Sequence, residues 1–262
     1  MQKNIEGFIF DLDGTVYLGD ELLPGARAII DNITEAGKEI VFISNKPLQR
    51  RKVYAQKLTR LGIPVDVNQI VNSSLVTARY LANNHQGVVA YVVGEPPLVE
   101  ELESHGVRIS SDPERIDYVI ASFDRDFHYD KLRIAYEAIK NGANFIATNS
   151  DRTCPVKDGE VPDAAGMIGA IEGVTGKKVE MIAGKPSRYI LNSALDTLGV
   201  ERSKCLLIGD RLETDIKMAL DNEITAALVL TGVTSSEDEE RSVIDPDFIL
   251  ENIGELQSLS IY

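Results

Sequence analysis

The feature that most constrains this chain is a repeated pattern: a short, unbroken apolar run stops at a polar residue and gives way to a helical stretch. Gly7-Phe8-Ile9-Phe10 stops at Asp11, 39–43 at Ser44-Asn45, 204–208 at Gly209-Asp210, and 226–230 at Thr231-Gly232. A strand with one wet face alternates apolar and polar residues, whereas a continuous apolar run is buried on both faces. Such strands separated by amphipathic helices give a parallel sheet covered on both sides. Pro24-Gly25 opens a helix whose apolar positions include Ala28, Ile29 and Ile33, ended by Gly37; further helices read at 47–61, from Gly184-Lys185-Pro186 through Leu198, and at 212–220. Met181-Ile182-Ala183 reads as the strand feeding the Lys185 helix. In open sheets of this class, sites form at the carboxyl ends of the strands. Asp11, Ser44, Lys185 and Asp210 all fall there.

Between these parts lies a second α/β pattern, with strands at 88–93, 118–121 and 144–148 and helices at 97–105, 129–141 and 163–176. The segment is long enough for its own core. The expected division is a core at 1–76, an inserted α/β domain at 77–180 and the rest of the core at 181–262.

Charge narrows the partners. Lys and Arg number 27 against 41 Asp and Glu, a net −14. No basic run exists to replace phosphate counterions, which argues against nucleic acid and against an anionic membrane surface. The apolar runs are strand-sized and cannot span a bilayer. The opening MQKNIEGFIFDLDG does not read as a signal peptide. Cys154 and Cys205 alone build neither a disulfide framework nor a thiolate zinc cluster, and Cys205 within CLLIG reads as a buried thiol. A reducing, cytoplasmic setting is the expectation. His85, His105 and His128 are scattered and suggest no metal site, and the EDEER run at 237–241 reads as a solvated face.

The chemistry gathers around Asp11-Leu12-Asp13-Gly14-Thr15. Two carboxylates on one turn after a strand are costly to bury together, and a divalent cation is the usual remedy. Gly14 lets the backbone turn tightly and Thr15 can donate a hydroxyl; the plainer reading is a capped turn in which Asp13 bonds backbone amides. Asp210 ends another apolar strand and Asp215 follows five residues later. Asp11, the Asp13 carbonyl and Asp210 would offer a hard cation such as Mg²⁺ three oxygens. Asp215 would ligate directly, orient Asp210 from behind, or simply favour a helix N-terminus. Lys185 can neutralise carboxylates and a bound phosphate. Ser44 and Asn45 offer a hydroxyl, an amide and backbone N–H groups to a phosphoryl oxygen, or else cap a helix.

This set resembles the haloacid dehalogenase-like phosphohydrolases: DxDGT at 11–15, Ser44 after the second strand, Lys185, and the Gly209-Asp210…Asp215 acidic motif. More narrowly it is similar to the NagD-type, nitrophenylphosphatase-like branch, through FDLDGTVYLGDELLPGA, FISNKP, FDRDFHYDKL at 123–132, ATNSDRTCP at 147–155, GKPS and GDRLETDI. The resemblance implies a Rossmann-like core with a larger α/β cap. It implies Asp11 as nucleophile and Asp13 as acid–base, with phosphate held by Ser44, the Asn45 backbone and Lys185. Mg²⁺ would be held by Asp11, the Asp13 carbonyl and Asp210, with Asp215 in support. The implied activity is hydrolysis of small-molecule phosphate monoesters through an aspartyl-phosphate. One departure is visible: the branch often has two Asn after the Ser, and here Lys46 takes the second place.

An insert over the strand ends would exclude water and meet the leaving group. The resemblance makes Asn149, Asp151 and Arg152 the candidates, and Phe123, Asp124 and Arg125, from another strand end, would line the same mouth; the plainer reading of both stretches is hydrogen-bonded surface turns. Such caps often support homodimers. A phosphotransferase or mutase would use the same Asp11, and release of phosphate without an acceptor would separate them. A non-catalytic phosphate-binding protein would be expected to lack one of Asp11, Asp13, Lys185 or Asp210, and all are present. Sugar phosphates, nucleoside monophosphates, phosphoglycolate-like acids and pyridoxal phosphate all stay open as substrates.

Overall fold

The computed structural model describes residues 4–84, 87–156, 159–240 and 242–259, so His85 and Arg241 lie outside the described residues. The chain forms two compact units, one of residues 1–44, 51–71 and 185–262, the other of residues 45–50 and 72–184.

The first unit is a Rossmann-like α/β core. Its six-stranded sheet runs Phe248–Leu250, Thr225–Val229, Cys205–Gly209, Gly7–Asp11, Glu39–Ser44, Ile70–Asn72. Gly7–Asp11 is central, parallel to both neighbours, with Phe10 level with Ile208 and Asp11 level with Ile43. That register brings Ser44 and Asp210 to the edge where Asp11 ends. All five residues of Gly7–Asp11 and of Cys205–Gly209 are buried, as two-sided cover requires. Phe8, Phe10, Phe42, Leu206 and Ile208 share one core cluster, and Phe10 stacks on Phe42 with ring centroids 5.9 Å apart. Each such buried side chain contributes roughly 1.5–3 kcal/mol. The Ala26–Glu35 helix turns Ala26, Ile29, Ile30 and Ile33 inward, whereas Ala28, expected on that face, is exposed.

Two helical expectations change. The stretch at 47–61 becomes helical only at Arg51–Arg60. Residues 45–50 belong to the second unit, where Asn45 is bonded by Ser73 and Asp151 and so does not begin a helix. The helix expected at 212–220 opens as a π-turn, Leu212–Ile216, before Lys217–Leu220. Both Asp215 and Ile216 donate their N–H groups to the Arg211 carbonyl, at 3.0 and 3.2 Å. The widened turn changes where side chains point, a distortion often found at functional sites.

The second unit has a five-stranded parallel sheet in the order Met181–Ile182, Asn144–Ala147, Tyr118–Ala121, Val89–Val93, Arg108–Ile109. Met181 and Ile182 therefore do not resume the core sheet: they pair with Ile146 and Ala147. The unit closes at Gly184, and a boundary at 76/77 would cut the continuous Ser73–Asn84 helix. An antiparallel hairpin of Thr153–Val156 and Gly159–Pro162 was not foreseen from the sequence pattern. The Tyr129–Lys140 and Ala164–Thr175 helices supply Ala135, Ala138, Ile139, Met167, Ile168 and Ile171 to this unit's own core. Among the described residues no helix is long and apolar enough to cross a membrane.

Candidate active site

In the core unit, Asp11, Asp210 and Asp215 are buried and each presents a carboxylate oxygen, the three lying within 4.8 Å of one another. Buried Lys185 donates from Nζ to Asp11 Oδ1 at 2.5 Å and to Asp215 Oδ1 at 2.8 Å. Burial alone would lower the lysine's pKa, but Asp11 and Asp215 outweigh it and hold the ammonium charged. Burial, with Asp215 and Asp210 adding to it against the pull of Lys185, raises the Asp11 carboxyl well above its usual range. Burial and Asp215 push Asp210 up to about 6, against a hydrogen bond from the Val233 N–H at 2.7 Å. One ammonium thus stands against three carboxylates, and negative charge is left over. An all-oxygen donor set with excess negative charge fits a hard divalent cation. Among the described residues this is the one such group of His, Cys, Asp or Glu side chains, so neither His105 nor His128 enters a metal cluster.

The turn after Asp11 is held by Gly14 N–H on the Tyr17 carbonyl at 2.8 Å and Val16 N–H on the Leu12 carbonyl at 2.9 Å. Gly14 has a φ of 89°, and a Cβ there would sit 2.7 Å from Asp210 Oδ2. Only glycine meets both demands. Asp13 is half-buried, and the Tyr17 hydroxyl hydrogen-bonds it. Burial first, then the Asp13 charge, raises the Tyr17 phenol pKa, so it stays protonated and donates. Tyr17 and the Val233 amide were missed by sequence reasoning. For Tyr17 the signal was its place four residues after Asp13; a backbone amide leaves none. The Thr15 hydroxyl, expected as a donor, is buried with no hydrogen-bond partner among the described residues. Ser44 is buried at the end of its strand.

In the second unit, Asn45 donates from Nδ2 to Asp151 Oδ2 at 2.9 Å, and Asn149 Nδ2 reaches the same oxygen at 2.8 Å. Asn149 is buried, with its other amide hydrogen on Asp163 Oδ1 at 3.1 Å and its oxygen accepting from Thr148 Oγ1 at 2.8 Å. Its side chain is used up within the loop. Asp151 is half-buried and Arg152 exposed. Of the other expected mouth residues, Asp124 is paired with Lys131 at 2.7 Å and Arg125 with Glu95 at 2.5 Å.

A parallel sheet whose strands end at Asp11 and beside Asp210, with Asp215 and the Lys185 ammonium gathered against them, defines an α/β enzyme of anionic, cation-assisted chemistry. Comparison narrows the class. The haloacid dehalogenase-like hydrolase family model matches residues 8–108, and a second, HAD-hydrolase-like model matches 182–256. The sugar-phosphatase AraL of Bacillus subtilis is 41% identical over 254 residues, 97% of this chain and 93% of that protein. The 4-nitrophenylphosphatase of Thermotoga maritima superposes with a TM-score of 0.94 at 36% identity, covering 99% of this chain and 98% of its own. NagD of Escherichia coli K-12 superposes with a TM-score of 0.87 at 30% identity, covering 96% and 98%. The chain belongs to the haloacid dehalogenase-like hydrolases, in the branch of NagD and the nitrophenylphosphatases.

Proposed function

We propose that this chain hydrolyses small sugar phosphates, with Asp11 carrying the phosphoryl group between leaving group and water. Phosphate-monoester hydrolysis at aspartates of this family's type is its activity. The single observation that carries the mechanistic reading is the Lys185 bridge to Asp11 and Asp215 at the strand ends. Sugar phosphates are favoured among the candidate substrates by AraL, whose name is that of a sugar-phosphatase.

Asp11, Asp210 and the Asp13 carbonyl would hold Mg²⁺, with Asp215 in support, and the ion when bound supplies positive charge to the phosphoryl oxygens and keeps Asp11 ionised. Asp11 attacks phosphorus in line and its Oδ–P bond forms as the ester P–O bond breaks. The Lys185 ammonium stabilises the charge that grows on the phosphoryl oxygens. Ser44 and the Asn45 N–H hold those oxygens in place. Asp13 gives its proton to the leaving oxygen, then takes one from the water that cleaves the aspartyl-phosphate. Tyr17, donating to Asp13, orients that carboxyl for both transfers. Arg152, exposed where Asn149 is consumed, is our candidate for contact with the leaving group. The enzyme would act as a soluble protein of the cytoplasm, alone or as a homodimer, with no nucleic-acid partner.

The test is phosphate release from a panel of sugar phosphates by the wild type and Asp11→Asn. We expect the variant to lose at least about three orders of magnitude, the scale set by losing a covalent nucleophile. Retention of most of the activity would refute the covalent role, and phosphate release from nucleotides but not sugars would refute the substrate class.

A further inference from the structure

Asp151 sits in a loop that sequence reasoning assigned to the leaving group, yet its contacts point elsewhere. One oxygen, Oδ2, accepts both the Asn45 amide at 2.9 Å and the Asn149 amide at 2.8 Å. The loop carrying it is stapled to the start of the Ala164–Thr175 helix. The Asp151 carbonyl accepts Ala165 N–H at 3.0 Å, the Arg152 carbonyl accepts Asp163 N–H at 2.9 Å, and Asn149 bonds the Asp163 carboxylate. The carboxylate is therefore a fixed anchor.

What it anchors is Asn45, from a direction that matters. The Asn45 carbonyl accepts Ser73 Oγ at 2.7 Å, which pins one side of its backbone. Its side-chain oxygen lies against Gly184 so closely that a Cβ there would come within 2.5 Å of it. Gly184 is in turn held by its N–H on the Thr148 carbonyl at 2.7 Å. Asn45 is thus bonded at its carbonyl and its amide nitrogen, and its amide oxygen lies close against Gly184. Those contacts restrict the turn that carries its own peptide N–H.

We infer that Asp151 is a positioning residue of the phosphate-binding turn: through the Asn45 side chain it sets the direction of the Asn45 backbone N–H, and it does not select the leaving group. This rests on the reading that Ser44 and Asn45 bind the phosphoryl group. A leaving-group contact discriminates among esters, whereas a turn that orients a phosphate donor affects every ester and free phosphate alike.

The experiment measures KM for esters with aryl, sugar and small-acid leaving groups, together with competitive inhibition by inorganic phosphate. Asp151→Ala should raise the phosphate Ki and every KM by one common factor of about tenfold, the scale of one charge-assisted hydrogen bond. Asp151→Asn keeps an oxygen that accepts from Asn45 and Asn149 and should stay within about threefold of wild type. Asn45→Ala reads the same contact from its other end, should a loss at 151 impair folding, and its effect should not add to that of Asp151→Ala. An unchanged phosphate Ki with KM altered for particular esters would overturn the inference, as would full additivity. Ser44→Ala separates the two readings. If it too leaves the phosphate Ki unchanged, the phosphate turn itself is misassigned; if it alone raises Ki, only the role of Asp151 fails.

Discussion

Asp210→Asn should make the metal-free protein more stable while removing its activity. The folded protein raises the Asp210 carboxyl from its ordinary 3.8 to about 6, through burial and the neighbouring Asp215. A raised carboxylate pKa means that the native state holds its proton more tightly than the unfolded chain, so stability falls as pH rises between those two values. Above pH 6 the ionised, buried group costs about 3 kcal/mol, from about 1.4 kcal/mol per pKa unit. At pH 4.5 the cost is about 1 kcal/mol, because the folded state has taken up its proton. Asparagine keeps an oxygen for the Val233 N–H but carries no charge, so it removes this cost and loses part of one hydrogen bond. We expect a gain of about 1–2 kcal/mol at pH 8, or roughly 2–8 °C in Tm for a chain of this size. Thermal unfolding in chelator at pH 8 and pH 4.5 checks both size and sign. Magnesium should then raise the Tm of the wild type and not that of the variant. A variant less stable than wild type at pH 8 in chelator would refute the account of charge in this cluster.

Two further outcomes follow from particular contacts. Asp13→Asn should cost about 10²–10⁴ in kcat/KM with sugar phosphates and much less with aryl phosphates, whose leaving oxygens need little protonation. The ratio kcat/KM reads the attack step and not the later water step that all esters share, so equal losses in kcat/KM across esters would count against the acid role. Gly184→Ala would press a Cβ to 2.5 Å from Asn45 Oδ1 and 2.7 Å from the Thr148 carbonyl, so thermal unfolding should show a loss of about 1–3 kcal/mol, and an unchanged Tm would show that the loop yields freely.

The core was legible because its strands are buried on both faces and therefore written as unbroken apolar runs; Phe8 to Phe10 and Leu206 to Ile208 could hardly be anything else. The same logic misplaced Met181 and Ile182. Two apolar residues fit the edge of either sheet, and only the pairing with Ile146 and Ala147 decides between them. The acidic cluster was visible as residue types at strand ends, but its distances depend on the π-turn at Leu212–Ile216, and no residue in that stretch announces such a turn. Asn149 was a polar loop residue in sequence and is a buried knot in space, because its neighbours Thr148 and Asp151 and the more distant Asp163 all bond its side chain.

Asp11, Asp13, Lys185, Asp210 and Asp215 all lie in one compact unit, although 72–184 interrupts the sequence between the first two and the rest. Inheritance can therefore act on the two parts at different rates. Substitutions within 72–184 leave every side chain of the Asp11, Asp210 and Asp215 cluster, and Lys185, in place in the sequence. On the proposed roles, a lineage would change its preference among phosphate esters through the inserted segment while Asp11, Asp13, Lys185 and Asp210 stay fixed. Loss of one aspartate in the other unit ends that history at once.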